Sequence, residues 1–539
     1  MRQGWMLLLA FGLGCSNPSG ARDEAPKAAL DSTLSKLAFD GIDERGVVAK
    51  IRLVDYAEPY AASAHLLVVR VQGGAWCGTC RWHAAHTSEL ASNERLRILD
   101  LVVADRDNSP ATVDDLGAWR ALVDAPNVAT AADPTFALRG LIPASGAVLP
   151  LFVLVDSRTL LVVATLPNPD PEELAHGVDV ALSTMDGLTP PPTPPEVLFD
   201  GIFHRNEWDM IHDVKTKGAP PGDPTNAAAD SPNAAALGKA LFFDKALSPS
   251  NDVSCATCHD PNHQWSDALP QAKGKHTGSR RTPRLALSAS SRWQFWDGRA
   301  DSLWAQALGP LENPDEMGSS RSFVAKTVAV RYAAEYALAF PDSSHDETRV
   351  FVNAGKAIAA FERTLRVRPN ALDAYASGDF GALTNAQKQG LSVFMGVGCT
   401  QCHWGPRLTD DAFHVTRTPT GRADGRPDRG RADALANEFS SSSVWSGSPI
   451  ARSFRSSDSM LGAFKTPSLR GVAEGAPYGH GGELPTLADV MASYGQGGLP
   501  MTDARAIGIR EPWLVRFNQT AQWSIIAFLK TLSGVAFVP

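Results

Sequence analysis

The seven cysteines constrain this 539-residue chain more than any other feature. Six of them form three C-x-x-C pairs, Cys77/Cys80, Cys255/Cys258 and Cys399/Cys402, and only Cys15 stands alone. This is not the framework of a small disulfide-stapled domain; it marks three local chemical sites. In two of the pairs the next residue is histidine: Cys255-Ala256-Thr257-Cys258-His259 and Cys399-Thr400-Gln401-Cys402-His403. Two thiols three positions apart on a helical turn can add to the two vinyl groups of one porphyrin, and the adjoining histidine then lies under the ring as an iron ligand. A zinc ribbon or a redox dithiol does not require histidine after each pair. The two copies therefore predict two covalently bound haem c groups in tandem cytochrome-like lobes.

The chain is too long for a single core and fits several domains. A net charge of -8 argues against a nucleic-acid partner, which would want a basic face. The N-terminus carries Arg2 and an apolar run from Trp5 to Leu13. That run is far short of the ~20 residues needed to span a bilayer, so it reads as an export signal. Cys15 follows Gly12-Leu13-Gly14 and resembles a bacterial lipoprotein processing site, although leucine is usual where Gly12 stands. Lipidation of Cys15 predicts a periplasmic, lipid-anchored protein whose membrane contact is that anchor alone. Ordinary cleavage that discards Cys15 is the alternative.

Residues 1–15 are thus read as signal and 16–35 as a polar tether. From 36 to 186 strands and helices alternate, with buried strands at 66–71, 98–103 and 151–155, which argues a layered α/β domain. A proline run, Thr189 to Pro195, marks a linker over 187–196. Beyond it strand signals nearly vanish. Helical spacing appears at 234–244, 324–339, 351–368, 384–396 and 520–533, and long polar loops connect these segments, the longest at about 416–459. Two mainly helical lobes are expected, 197–372 and 373–539, one around each C-x-x-C-H motif.

In the N-terminal domain Trp76-Cys77-Gly78-Thr79-Cys80 follows a strand and precedes a helix. This resembles the thioredoxin-like fold. A thiol at a helix N-terminus is stabilised as thiolate, so Cys77 is the expected nucleophile and Cys80 the resolving partner. The resemblance also implies that Val148-Leu149-Pro150 is the cis-proline loop beside the dithiol. The pair is either redox-active or a static disulfide, and no partner is legible.

Downstream, Leu237 to Asp244, the Phe295-Trp296-Asp297-Gly298-Arg299-Ala300 block, Gly309-Pro310 to Glu316-Met317, Phe464 to Arg470, and Pro477-Tyr478-Gly479-His480 occur in order. Together these blocks resemble the bacterial di-haem cytochrome c peroxidase/MauG family. The resemblance implies Glu316 as the catalytic acid/base beside the first haem and Trp296 between the haems. It implies Tyr494 as distal ligand of the second haem, with Met491, one turn earlier, as rival. His276 is a candidate distal ligand of the first haem and His263 a neighbouring one; a surface-loop histidine is the plainer reading of each. The family binds calcium between its lobes with an asparagine where this chain has Arg281. A cation there places the calcium in doubt. Gly481 also replaces the family's usual aspartate.

The expected activity is reduction of hydrogen peroxide to water, with electrons from a small cytochrome c or cupredoxin. The alternatives are MauG-like oxidation of a protein or organic substrate, and a non-enzymatic electron-transfer cytochrome with a dithiol sensor.

Overall fold

The computed structural model describes residues 33–538 apart from 60, 62, 143–147, 216–217, 342–345, 419–429, 453–461, 501–509 and 535. Cys15 lies outside the described residues. The chain divides into two compact units, one ending at Met210 and the other beginning at Ile211.

The first unit opens with a hairpin, β1 (Ala38–Ile42) and β2 (Val48–Arg52). It continues through β3 (Leu66–Gln72), α1 (Gly78–Ala84), α2 (Thr87–Ala91), β4 (Leu96–Val102), α3 (Val113–Arg120) and β5 (Ala129–Ala132). Then come β6 (Leu151–Asp156), β7 (Val162–Pro167) and α4 (Pro171–Met185). All seven strands form one sheet in the order β2-β1-β5-β4-β3-β6-β7. Central β3 runs parallel to β4 and antiparallel to β6. Every residue of β3 is buried, which explains why it reads as a continuous apolar run instead of an alternating one. One apolar face, with Leu66, Val68, Ile98 and Phe152, packs against Leu174, Val178 and Leu182 of α4. The strand–dithiol–helix unit and the Pro150 loop entering β6 make this a thioredoxin-like α/β domain.

Gln72 ends β3, and the polar residue within its apolar run is Arg70. Its guanidinium grips the Asp100 carboxylate on β4 at 2.6 and 2.9 Å, and the Trp119 indole donates to the same carboxylate at 3.0 Å. The pair is fully buried. A buried charge persists only when paired and hydrogen-bonded in this way.

Helix α5 (Arg205–His212) spans the division between the units. The second unit holds α6 (Pro232–Phe243), α7 (Cys255–Cys258), α8 (Leu303–Glu312), α9 (Arg321–Arg331), α10 (Ala333–Ala339) and α11 (Glu347–Glu362). It continues with α12 (Ala371–Ala376), α13 (Asn385–Gly396), α14 (Gly430–Ala436), α15 (Leu487–Gln496) and α16 (Gln519–Leu529). Strand pairing among its described residues is confined to two-residue ladders and isolated bridges. The expected helix at 324–339 is two helices, because the backbone turns out of helical geometry at Tyr332.

Helix α11 is the spine of one half, packed among α6, α8 and α9 through Leu237, Leu241, Leu308, Val324, Phe351 and Ile358. Its crossing with α6 is so close that a Cβ on Gly238 would sit 1.8 Å from the Ala357 carbonyl oxygen. In the other half α13 meets α16, with the rings of Phe394 and Phe528 5.1 Å apart.

Candidate active site

Ser254 starts α7 from extended backbone, its N–H donating to Thr257 Oγ1 at 2.9 Å. The resulting single turn sets Cys255 and Cys258 on one side. The backbone leaves the helix at His259, whose Nδ1 lies 3.1 Å from the Trp265 carbonyl oxygen. A carbonyl oxygen only accepts, so the proton of the neutral ring sits on Nδ1 and the lone pair on Nε2. The second motif reaches the same result by another route. Gly398, at φ +85°, opens a 3-10 turn over Cys399–Gln401, and His403 Nδ1 lies 3.1 Å from the Leu408 carbonyl oxygen. Two imidazoles locked in the same tautomer by backbone carbonyls are what iron ligation asks of its neighbours.

Both motifs open into one cavity of about 730 Å³, lined by His259, His403, Glu316, Trp296, Met491 and Tyr494 among others. A continuous space lined by both histidines and by cysteines of both motifs fits two haems.

Glu316 lines the His259 part of this cavity. Its Oε1 accepts a hydrogen bond from the Asn313 side chain at 2.8 Å. Burial holds its carboxyl above the ordinary glutamate range, against the pull of the Arg299 charge and the Asn313 bond. The loop around Gly274 fixes its backbone, with the Lys275 N–H donating to the Glu316 carbonyl at 2.9 Å. A proton-accepting carboxylate in a partly dry chamber is suited to general acid/base work.

Trp296 stands where the two halves meet. Its indole N–H donates to the Arg281 carbonyl at 3.1 Å. Its ring stands edge-on to His480 at 5.3 Å, and Phe464 stacks on His480 at 3.7 Å. Tyr494 and Met491 share one face of α15, three residues apart, and both line the cavity with His403. Thr416 and Thr418 hydrogen-bond the Tyr494 phenol, whose pKa burial pushes up to about 12.

The family model of the di-haem cytochrome c peroxidases matches residues 232–380. Methylamine utilization protein MauG of Methylorubrum extorquens is 37% identical over 308 residues, covering 56% of this chain and 79% of that protein. Cytochrome c551 peroxidase of Nitrosomonas europaea is 32% identical over 304 residues, covering 56% of this chain and 80% of that protein. A crystal structure of a MauG-like protein associated with microbial copper homeostasis aligns at 26% identity and a TM-score of 0.48, over 59% of this chain and 93% of that one. The chain belongs to the di-haem cytochrome c peroxidase family.

Within that family's frame, the candidate distal histidine His276 lines the cavity and is exposed. It is 68% exposed in its side chain and pairs with Asp315 at 3.3 Å. His263 is likewise exposed and paired with Asp260. The residues where the family's calcium would lie do not fit that ion. Arg281 projects its guanidinium there and donates to the backbone carbonyls of Gly475 and Pro477.

In the first unit Cys77 and Cys80 form a disulfide. Cys77 caps α1, its sulfur accepting the Cys80 N–H at 3.2 Å. The Leu149–Pro150 bond is cis, and the Thr79 hydroxyl donates to the Leu149 carbonyl at 2.5 Å. Both sulfur-bearing residues are 0% exposed.

Two features escaped the sequence reading. Buried His414 bridges Asp410 at 2.8 Å and Glu511 at 2.9 Å beside Cys402. Burial opposes its charge, but the Glu511 and Asp410 carboxylates raise its pKa above the ordinary histidine value. Glu362, at the end of α11, is buried close to Cys255. His414 to Asp410 is a local spacing that a search could have flagged; Glu511 carries no local signal.

Proposed function

We propose that this chain is an oxidoreductase that reduces hydrogen peroxide to water, taking two electrons and two protons per peroxide. The electron donor we assign is a small exported cytochrome c or cupredoxin. The carrying observation is that Glu316 faces the same chamber as His259, while His403 faces its far part. Haem, thioether-bound at Cys255/Cys258 and Cys399/Cys402 in this reading, supplies the redox chemistry and the electron storage.

The chain's own groups do the rest. His259 and His403 would hold iron through Nε2. Glu316 takes a proton from one peroxide oxygen and delivers it to the other. Trp296 fills the gap between the halves with an aromatic ring. Tyr494 offers a hard oxygen donor at the second site, and Met491 a soft sulfur in its place. A tyrosine oxygen donor at position 494, in place of a thioether, favours a second reading, MauG-like oxidation of a protein or organic substrate. Export and lipid attachment at Cys15 belong to the proposal, supported by the short apolar run before it.

Steady-state turnover of peroxide with a reduced cytochrome tests the first reading. Glu316→Gln is expected to lower kcat by about 10²- to 10⁴-fold with both haems retained. In the parent chain the acid limb of the pH profile should fall above the ordinary glutamate value of 4.5, because burial raises this carboxyl. Unchanged turnover in the variant would remove the glutamate from the mechanism.

A further inference from the structure

We propose that the guanidinium groups of Arg281 and Arg284 replace an inter-lobe calcium ion, clasping the two halves of the di-haem unit through backbone carbonyls. Arg281 Nη1 donates to Gly475 O at 2.7 Å and also to Pro477 O. Arg284 donates through Nη1 to Gly471 O and through Nη2 to Ser468 O at 3.3 Å. All four acceptors belong to one stretch, 184 to 196 residues further along the chain. Among the described residues, neither guanidinium forms an ion pair with a carboxylate.

Backbone carbonyl oxygens are ligands that calcium takes. Here N–H donors occupy them. Two guanidinium groups also bring two positive charges, the charge of the ion they stand in for, and would repel a calcium approaching the same oxygens. Burial, and then the neighbouring Arg281 charge, pull Arg284 down to about 10, which still leaves it protonated at neutral pH. The guanidinium is suited to this place because its donors form a rigid planar fork and it sheds water more easily than an ammonium.

The clasp reaches the electron route as well. The Arg281 N–H donates to the His480 carbonyl at 3.0 Å, and its own carbonyl holds the Trp296 indole. The backbone at residue 281 therefore ties the clasp to Trp296 and His480.

Calcium content, independent of any assigned activity, tests the first part. The purified haem-loaded chain, after dialysis against a chelator, is analysed by plasma emission spectrometry. Its thermal midpoint and its half-reduced electron paramagnetic resonance spectrum are recorded with and without millimolar calcium. The expected result is far less than one calcium per chain and no change in either signal. One retained calcium per chain, or a signal that chelation shifts and calcium restores, would overturn the replacement. Arg281→Lys and Arg284→Lys keep the charge and lose the fork. Both are expected to retain two haems while the thermal midpoint of the di-haem unit falls by about 2–4 °C, the effect of losing about one hydrogen bond to the facing carbonyls. A parent-like midpoint in both variants would overturn the clasp. Should either variant fail to fold, the chelation result on the parent chain decides.

Discussion

Glu362 shows how a single carboxyl sets a pH dependence. It is 4% exposed, and its Oε2 has no hydrogen-bond partner. Burial alone raises its pKa from 4.5 to about 8. The folded chain therefore holds this proton more tightly than the unfolded one. Stability from this group is complete below pH 4.5 and is lost as the pH rises towards 8. Glu362→Gln should flatten that decline. The check is the thermal midpoint of the haem-loaded chain at pH 5 and pH 8, and an unaltered gap between them would contradict the assignment. At this scale the sequence was legible where chemistry is written in neighbours. His259 and His403 adjoin their thiols, and Glu316 sits inside a recognisable block. Glu362, Glu511 and Arg284 take their meaning from burial or from partners far along the chain, which no local spacing encodes. His276, a candidate ligand from its sequence position, is exposed beside Asp315 and also lines the cavity that holds His259.

Elements divide along a similar line. Strands β3, β4 and β6 are buried along most of their length and announce themselves as apolar runs. Strand β1 buries alternate residues of Ala38-Phe39-Asp40-Gly41-Ile42, and β5 is Ala129-Thr130-Ala131-Ala132, whose small side chains give no β signal. Helix α8 was hidden by Gly309-Pro310, which the fold accommodates in its last turn. The pair joining β3 to β4 offers the sharpest test. Asp100→Ala leaves the Arg70 guanidinium buried without its counter-ion and should cost about 3–5 kcal/mol. Urea unfolding followed by far-ultraviolet circular dichroism would show an earlier transition for the sheet unit, with the haem absorbance transition unmoved. A loss below about 1 kcal/mol would mean that the strands hold without the pair.

For the whole molecule, the two units differ in where their cores come from. The sheet unit closes on its own side chains. The helical unit surrounds a cavity of about 730 Å³. Without its occupant, a space of that size leaves its lining side chains without the contacts that a packed core supplies. Water entering it does not restore those contacts. Chain produced without haem attachment should accordingly keep a protease-resistant fragment ending near residue 210 while the remainder is digested. Resistance of both units would show that the helical one closes by itself. This division was foreseeable from the two C-x-x-C-H motifs; the clasp of Arg281 and Arg284 across the halves was not. The sealed sulfurs of Cys77 and Cys80 carry a last consequence. A thiol arriving from solution meets protein wall before it meets sulfur. Whatever reduction potential the pair has, its traffic with the outside is metered by how often that wall breathes.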